Sequence, residues 1–365
     1  IYLSGGNITL NNGGTGSLNL NGTSLTGQGL QLGGSTKTTN TNTSATNSTI
    51  GGTNTITNSS ATVGPNLNLM VVGNGVALSG TSTSGIGAYL GNVTLSGSTL
   101  NISGTSNTGV GVQVGGLSSI LAMPSTTASN SSTSTVSGTV TTNTTTNTSL
   151  LADTSGNLTQ INGTFNITGV SNGSGHGVSL SGNLTQNNGS MNIAGISNSG
   201  AGVRLGGTLI QTASDLNGVI NITGSSCSTN NYGVEINPTN LTQNNGSLNI
   251  NGINSVYRGV LLSGVITQNN GSINVVGTST GTTPGAIPQN RNDGIFGDSG
   301  TLTQNGGSLN LTGVSNIGTG FQSESLNIVQ NNGTLNVTGL SDSYFGLRLK
   351  NSVTQNNGNL NFYGR

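Results

Sequence analysis

Charge is almost missing from this chain: seven Lys and Arg face seven Asp and Glu in 365 residues, and the net charge is zero. That leaves no basic footprint for nucleic acid or for an anionic membrane surface. Trp is absent and aromatic residues make up 3% of the chain. A single Cys227 excludes an internal disulfide, and with a single His176 it cannot build a zinc site of the usual His/Cys kind. No apolar run approaches the roughly 18 residues that a spanning helix needs, so membrane insertion by this segment is not expected. Apolar residues reach only 30%, against about 45–50% in an ordinary globular domain. What fills the chain instead is 63 Gly, 56 Asn and 104 Ser or Thr, about three-fifths of it. All four types are poor in helix interiors, which argues against a helical protein. The composition resembles a disordered one, but that signature also needs high charge and few β-branched residues, and neither holds here.

The order lies in a repeat. Leu184-Thr185-Gln186-Asn187-Asn188-Gly189-Ser190-Met191-Asn192-Ile193 returns from Leu241 to Ile250, and again from Ile266, Leu302, Ile328 and Val353. Gln160, Gln186, Gln211, Gln243, Gln268, Gln304, Gln330 and Gln355 follow one another at spacings of 26, 25, 32, 25, 36, 26 and 25. The base period is therefore about 25, with two lengthened units. A looser version runs through the first half, where 76–91 and 100–115 align at a spacing of 24 and 18–32 is a third copy.

Each unit holds three short alternating segments: apolar-Thr-Gln, apolar-Asn-apolar, and Gly-apolar-x-apolar. Alternation over three to five residues is strand periodicity, and the Gly and Asn between the segments are turn residues. Three strands and three turns in about 25 residues form one coil of an all-β, parallel β-helix, with the apolar members pointing inward and stacking on their equivalents one coil away. In one coil the inward set reads Leu184, Met191, Ile193, Ile196, Val203 and Leu205. A single solenoid over 1–365 is expected, with loose repeats and Ser/Thr/Asn-rich insertions in 1–156 and regular 25–26-residue repeats in 157–365. About 13 coils at roughly 4.8 Å each make a rod of about 60–65 Å. The tracts 35–60 and 125–148, and the shorter insertions 212–216 and 278–293, read as loops. The last repeat stops after its second triplet, which reads as an incomplete coil with open strand edges.

Alternation places the Gln of apolar-Thr-Gln on the buried side. A buried amide is costly unless paired, and identical amides about 4.8 Å apart can bond along the axis. The eight Gln are thus expected to form an internal ladder. The second Asn of Asn-Asn-Gly (Asn188, Asn245, Asn270, Asn332 and Asn357) is expected at a left-handed turn position and in a second ladder. The triplet Asn (Asn166, Asn192, Asn249, Asn274, Asn310, Asn336) should line an outer face.

Catalytic patterns fit poorly. Gly175-His176-Gly177 and Arg348-Leu349-Lys350 resemble motifs of polygalacturonases, a β-helical hydrolase family. Glycoside hydrolysis needs paired carboxylates within about 10 Å, yet the only acid before His176 in its half of the chain is Asp153. The 172 residues between His176 and Arg348 amount to about seven coils, or some 33 Å. His176 also sits in a slot that other repeats fill with Ala201, Val110 or Thr319, which reads as a solvated variant of the repeat. Asp293 and Asp298, in one insertion, are the closest acidic pair. Calcium-binding nonapeptides are missing, and Thr-x-Thr clusters only within 36–57 and 133–148, unlike an ice-binding face. No catalytic residue, cofactor or metal ligand is assigned.

In its Gly-Asn-Leu-Thr (156–159) and Gly-Ser-Leu-Asn-Ile (246–250) phrasing, the chain resembles passenger regions of bacterial type V secreted adhesins, in particular the filamentous-haemagglutinin-like exoproteins of two-partner secretion. The resemblance implies a right-handed β-helical fibre, exported, displayed at the cell surface and used in adhesion. The expected function is a non-enzymatic extracellular fibre or adhesin shaft, with a self-assembling filament, tube or sheath subunit as the alternative and a carbohydrate-active β-helix behind both. Its partners would be a host or neighbouring-cell surface, or other copies of itself joined end to end or laterally. The neutral surface would suit side-by-side packing.

Overall fold

The computed structural model describes residues 164–365 except 181, 214–217, 238–239 and 283–291. Before 164 it describes the segments 2–3, 6–12, 18–24, 30–32, 54–58, 67–73, 76–83, 87–90, 92–107, 112–114, 132–139, 150–151 and 156–160. The described residues form strands without helix, and every strand pairing is parallel, as a β-solenoid requires. Each coil runs through three strand segments, the first two fused into one strand in Val260–Gln268, Ile295–Gln304 and Phe321–Gln330. A short strand such as Val203–Leu205 leads into a Gln strand such as Leu209–Gln211, followed by a long Asn strand such as Val219–Ser226.

Eight Asn strands stack in turn between residues 164 and 364, and equivalent residues pair without slippage: Asn166, Asn192, Asn221, Asn249, Asn274, Asn310, Asn336 and Asn361 form one column. Earlier strands continue the stack, with Asn92–Ser106 paired onto Thr164–Ser171. The coil count of about 13 extends into residues outside the described set.

Two sequence expectations change here. Ser132–Thr139, in a tract read as loop, is a strand that pairs with Gly156–Gln160 and with the Asn92–Ser106 strand. Asn54–Asn58 likewise pairs with Leu18–Gly22. Thr is β-branched and suits a strand, and a solenoid edge asks only for backbone partners. The rest of 35–60 and 125–148 lies outside the described residues. The second change is at Ile196, expected inside but 49% exposed. Alternation continues unbroken through Ser190–Ser197, so Met191, Ile193, Gly195 and Ser197 face in and Ile196 faces out.

The interior consists of two kinds of column. Aliphatic side chains stack on one another, as Leu209, Ile220, Ile222, Val234 and Ile236 do with their counterparts in adjoining coils. Each fully buried side chain of this kind contributes about 1.5–3 kcal/mol. Gly faces inward in the Asn strand because the short strand passes close by: a Cβ on Gly252 would lie 2.4 Å from the carbonyl oxygen of Gly259.

The second kind of column is polar. Gln160, Gln186, Gln211, Gln243, Gln268, Gln304 and Gln330 are fully buried. Each amide nitrogen donates to the side-chain oxygen of the Gln one coil earlier, at 3.0, 2.8, 3.1, 3.2, 3.2 and 3.3 Å along the series from Gln186 to Gln330. The same nitrogen also reaches two backbone carbonyls, as Gln243 does with Gly246 and Ser272. The contacts end at Gln330, whose buried Oε1 has no partner. Gln355 is exposed and turns its amide to Gly358 of its own coil.

The Asn-Asn-Gly turns differ from expectation. Positive φ belongs to the Gly (Gly189, Gly246, Gly271, Gly333 and Gly358, at 80–89°, as also at Gly307 of Asn305-Gly306-Gly307) and not to the second Asn. With Gly available, the left-handed conformation costs no Cβ clash, so Asn is not needed there. Amide-to-amide bonds between turns are made by the first Asn instead: Asn269 donates to Asn244, Asn305 to Asn269, Asn331 to Asn305 and Asn356 to Asn331, each at 2.7 Å. Among the second Asn, Asn245 has a buried Oδ1 without a partner. The triplet Asn, expected only to coat the outside, form a third ladder along the Asn strands.

Gln243→Leu removes a donor that serves three oxygens and leaves Gln211 and Gln268 without their ladder partner. The expected cost is about 3 kcal/mol or more, read as a lower midpoint in urea or heat. Gln355→Leu, at an exposed site, is expected to change stability by less than about 0.5 kcal/mol.

Candidate functional surface

The Asn strand closes on a polar residue that faces inward and holds the following turn. Ser197 Oγ donates to the carbonyl of Gly175 in the preceding coil and accepts the backbone N–H of Gly200. Ser226, Ser279, Ser315 and Ser341 make the corresponding bonds to Gly200, Tyr257, Asn292 and Gly318. Asn254 takes the same position and accepts the N–H groups of Val256 and Tyr257. Each such turn delivers one variable residue just before the Gly that opens the short strand. Backbone hydrogen bonds place these residues in one column: His176, Ala201, Tyr232, Arg258, Asp293, Thr319 and Phe345. The outward position of the short strand forms a second column beside it: Ser179, Arg204, Glu235, Leu261, Phe296, Gln322 and Arg348.

Arg204, Glu235, Arg258, Asp293 and Arg348, half of the charged residues described after 164, stand in these two columns together with Tyr232, Phe296 and Phe345. Arg258 is the centre. Its Nε donates to Asp293 Oδ2 at 2.9 Å, and its Nη1 reaches the Tyr257 hydroxyl at 3.3 Å. The guanidinium carbon lies 3.3 Å from the Phe296 ring centroid, a stacked cation–π contact. The Tyr257 ring in turn packs against Tyr232, with centroids 5.5 Å apart. Asp293 is fully buried, and its other oxygen accepts the N–H of Thr319. From Thr319 the contacts run on through Gln322 and Glu324 to Lys350, which meets Glu324 at 2.5 Å. On the other flank Arg204 pairs with Glu235 at 3.2 Å.

Burial shapes the titration of this surface. It pushes the Asp293 carboxyl up, against the pull of Arg258 and the Thr319 N–H. It also raises Glu235 against the pull of Arg204. Tyr232 is pushed up to about 12, first by burial and then by neighbouring Tyr257. Glu324 is held below its ordinary value, chiefly by its hydrogen bond from Lys350.

The candidates from the sequence separate in this frame. His176 is partly buried and not solvated as expected, because its turn tucks the ring against the next coil. Its Nδ1 accepts the N–H of Ala201 at 2.9 Å. Burial first, then Arg204, lower its pKa to about 4. His176 and Arg348 lie six coils apart along the paired short strands, one fewer than the residue count implies, because insertions lengthen individual coils. Asp293 is buried in its ion pair while Asp298 is exposed, so the two do not form a matched acidic pair. Among the described residues no three His, Cys, Asp or Glu side chains gather as a metal site. Cys227 is exposed.

No protein-family model, curated protein or solved structure matches the chain. What the surface can do therefore follows from its own side chains. Three ion pairs hold Arg204 with Glu235, Arg258 with Asp293 and Lys350 with Glu324, and His176 donates no proton at Nδ1. The network ties successive coils together along this side. Arg258 is the residue that sequence reasoning missed. Extending the slot of His176 through every repeat would have found it, because the series places Arg258 and Asp293 in adjacent coils.

Two outcomes follow. Asp293→Ala leaves Arg258 buried without its partner, and a loss of about 3–5 kcal/mol is expected, whereas exposed Asp342→Ala should be near neutral in the same denaturation assay. His176 has a folded pKa of about 4 against an ordinary 6.5, so its contribution is present above 6.5 and is lost as pH falls toward 4. The upper bound is about 3 kcal/mol, reduced by partial exposure. Raised acids such as Glu235 act in the opposite sense, losing stability as pH rises, so the test compares melting temperatures of the native chain and His176→Thr. The difference between the two should shrink from pH 7 to pH 4.

Proposed function

We propose that this chain is a segment of a non-enzymatic extracellular fibre, serving as the shaft of a surface adhesin. The observation that carries the reading is the unbroken Gln ladder from Gln160 to Gln330. From Gln160 to Gln330 each coil is bonded to its neighbours through the interior as well as through its strand backbones, so bending or twisting the rod strains buried amides with no water to replace them. Such a body holds a shape over its length and suits mechanical spacing. The likeness of the repeat phrasing to filamentous-haemagglutinin-like passengers supports surface display after export, and the single Cys227 is compatible with a chain that crosses membranes unfolded. No helix among the described residues is long and apolar enough to cross a membrane. The working surface would be the Arg258–Asp293 side, where side chains vary from coil to coil while the rest repeats.

Single-molecule pulling on the whole chain tests this. A shaft should peel coil by coil, each step releasing about 25 residues, or roughly 85 Å of extended chain, and Gln243→Leu should lower the force at the affected coil. One all-or-none event at low force would overturn the mechanical reading. So would cleavage of a polysaccharide that Asp298→Asn or His176→Thr abolishes.

A further inference from the structure

We propose that the outer face of the Asn strands, from 164–171 through 334–341, is the surface on which two copies of this chain pack side by side. The inference goes beyond the shaft reading and does not depend on it.

Four features of the face point to a second copy. First, it carries no charged residue in seven successive strands, and charge enters only at Arg365 opposite Leu340. Two such faces meet without like-charge repulsion, whereas the Arg204–Lys350 side would bring charges of both signs into the contact. Second, its central column of amides is already engaged. Each triplet Asn from Asn192 to Asn336 donates to the previous Asn and accepts from the next. Covering amides that are bonded to one another costs little desolvation. The same engagement leaves few free amide donors in that column for a sugar or another hydrogen-bonding ligand.

Third, the face exposes large apolar side chains in a stepped pattern. Ile196 is 49% and Ile253 39% exposed, with the smaller Ser225 between them in the same column. Val276 adds a third exposed apolar side chain one column across. The notch at Ser225 is one coil wide, and an Ile from a facing copy fills it, giving the interdigitation of two packed sheets about 10 Å apart. Fourth, the area is sufficient. Seven strands about 4.8 Å apart and about 26 Å long give roughly 800 Å² per copy, or about 1,600 Å² in total, the size of a standard stable interface.

Sedimentation equilibrium on the 365-residue chain tests the proposal. The native chain should show concentration-dependent dimers or larger lateral assemblies. Ile196→Lys with Ile253→Lys should raise the dissociation constant by about 100-fold or more, since like charges facing each other cost several kcal/mol. Val265→Lys, which changes an apolar side chain 44% exposed on the Gln-strand side, should leave association unchanged. Circular dichroism reports whether the double variant keeps its β signal. If it does not, Ile253→Ser, which copies the residue of the adjoining coil, should still raise the constant about 10-fold. A native chain that stays monomeric up to about 1 mM would sink the proposal. Association that survives the Ile196 and Ile253 changes, or that Val265→Lys abolishes, would sink it equally.

Discussion

The structure depends on one constraint: a buried carboxamide must find a partner, and in this interior the partner is the same residue one coil away. Gln243 meets Gln211 at a sequence separation of 32 and Gln268 at one of 25, at almost equal distances. Gln304 bonds to Gln268 although 36 residues separate them. The spatial period is therefore held while the chain period varies, because shifting one Gln out of line leaves two amides unsatisfied. Extra residues have to leave the wall between strands, where no buried group needs a partner. The aliphatic columns profit from this registration without dictating it, since Leu, Ile, Val, Met and Phe interchange within them.

The outer surface divides into two regimes with different chemistry. Along the Asn strands the same residue types recur, amides bond to amides, and the face is neutral. Along the short strands each turn delivers a different residue, and neighbours there make specific contacts such as Arg258 with Asp293 and Phe296. A burial cost that would be prohibitive for a lone Asp293 is offset by a guanidinium and a backbone N–H held in fixed positions by adjoining coils. Most of the charged side chains on the described coils lie on one side, along and beside the short strands.

The fold was legible in the sequence because it is written in repetition. A period near 25, three alternating segments and turn residues between them leave few ways to bury an apolar stripe, and the inward direction of Gln follows from simple alternation. Details of the turns were less legible. Asn-Asn-Gly offers three residues that tolerate a left-handed conformation, and only the backbone path shows that Gly189 and its equivalents take it, freeing the first Asn to bond between coils. The direction of Ile196 was misread because Gly195 breaks the visible apolar pattern while the strand continues through it.

By itself the sequence determined the solenoid, its period, and the column of buried Gln, since each follows from the local alternation of residue types. Which variable residues become neighbours was decided only by the tertiary structure. Arg258 and Asp293 are 35 positions apart, at a spacing that no repeat unit shares with the others. Their contact arises because insertions are expelled and coils restored to register by the ladder. The neutral face and the charged, aromatic one are products of the same stacking, which turns a list of single substitutions along the chain into continuous surfaces along an axis.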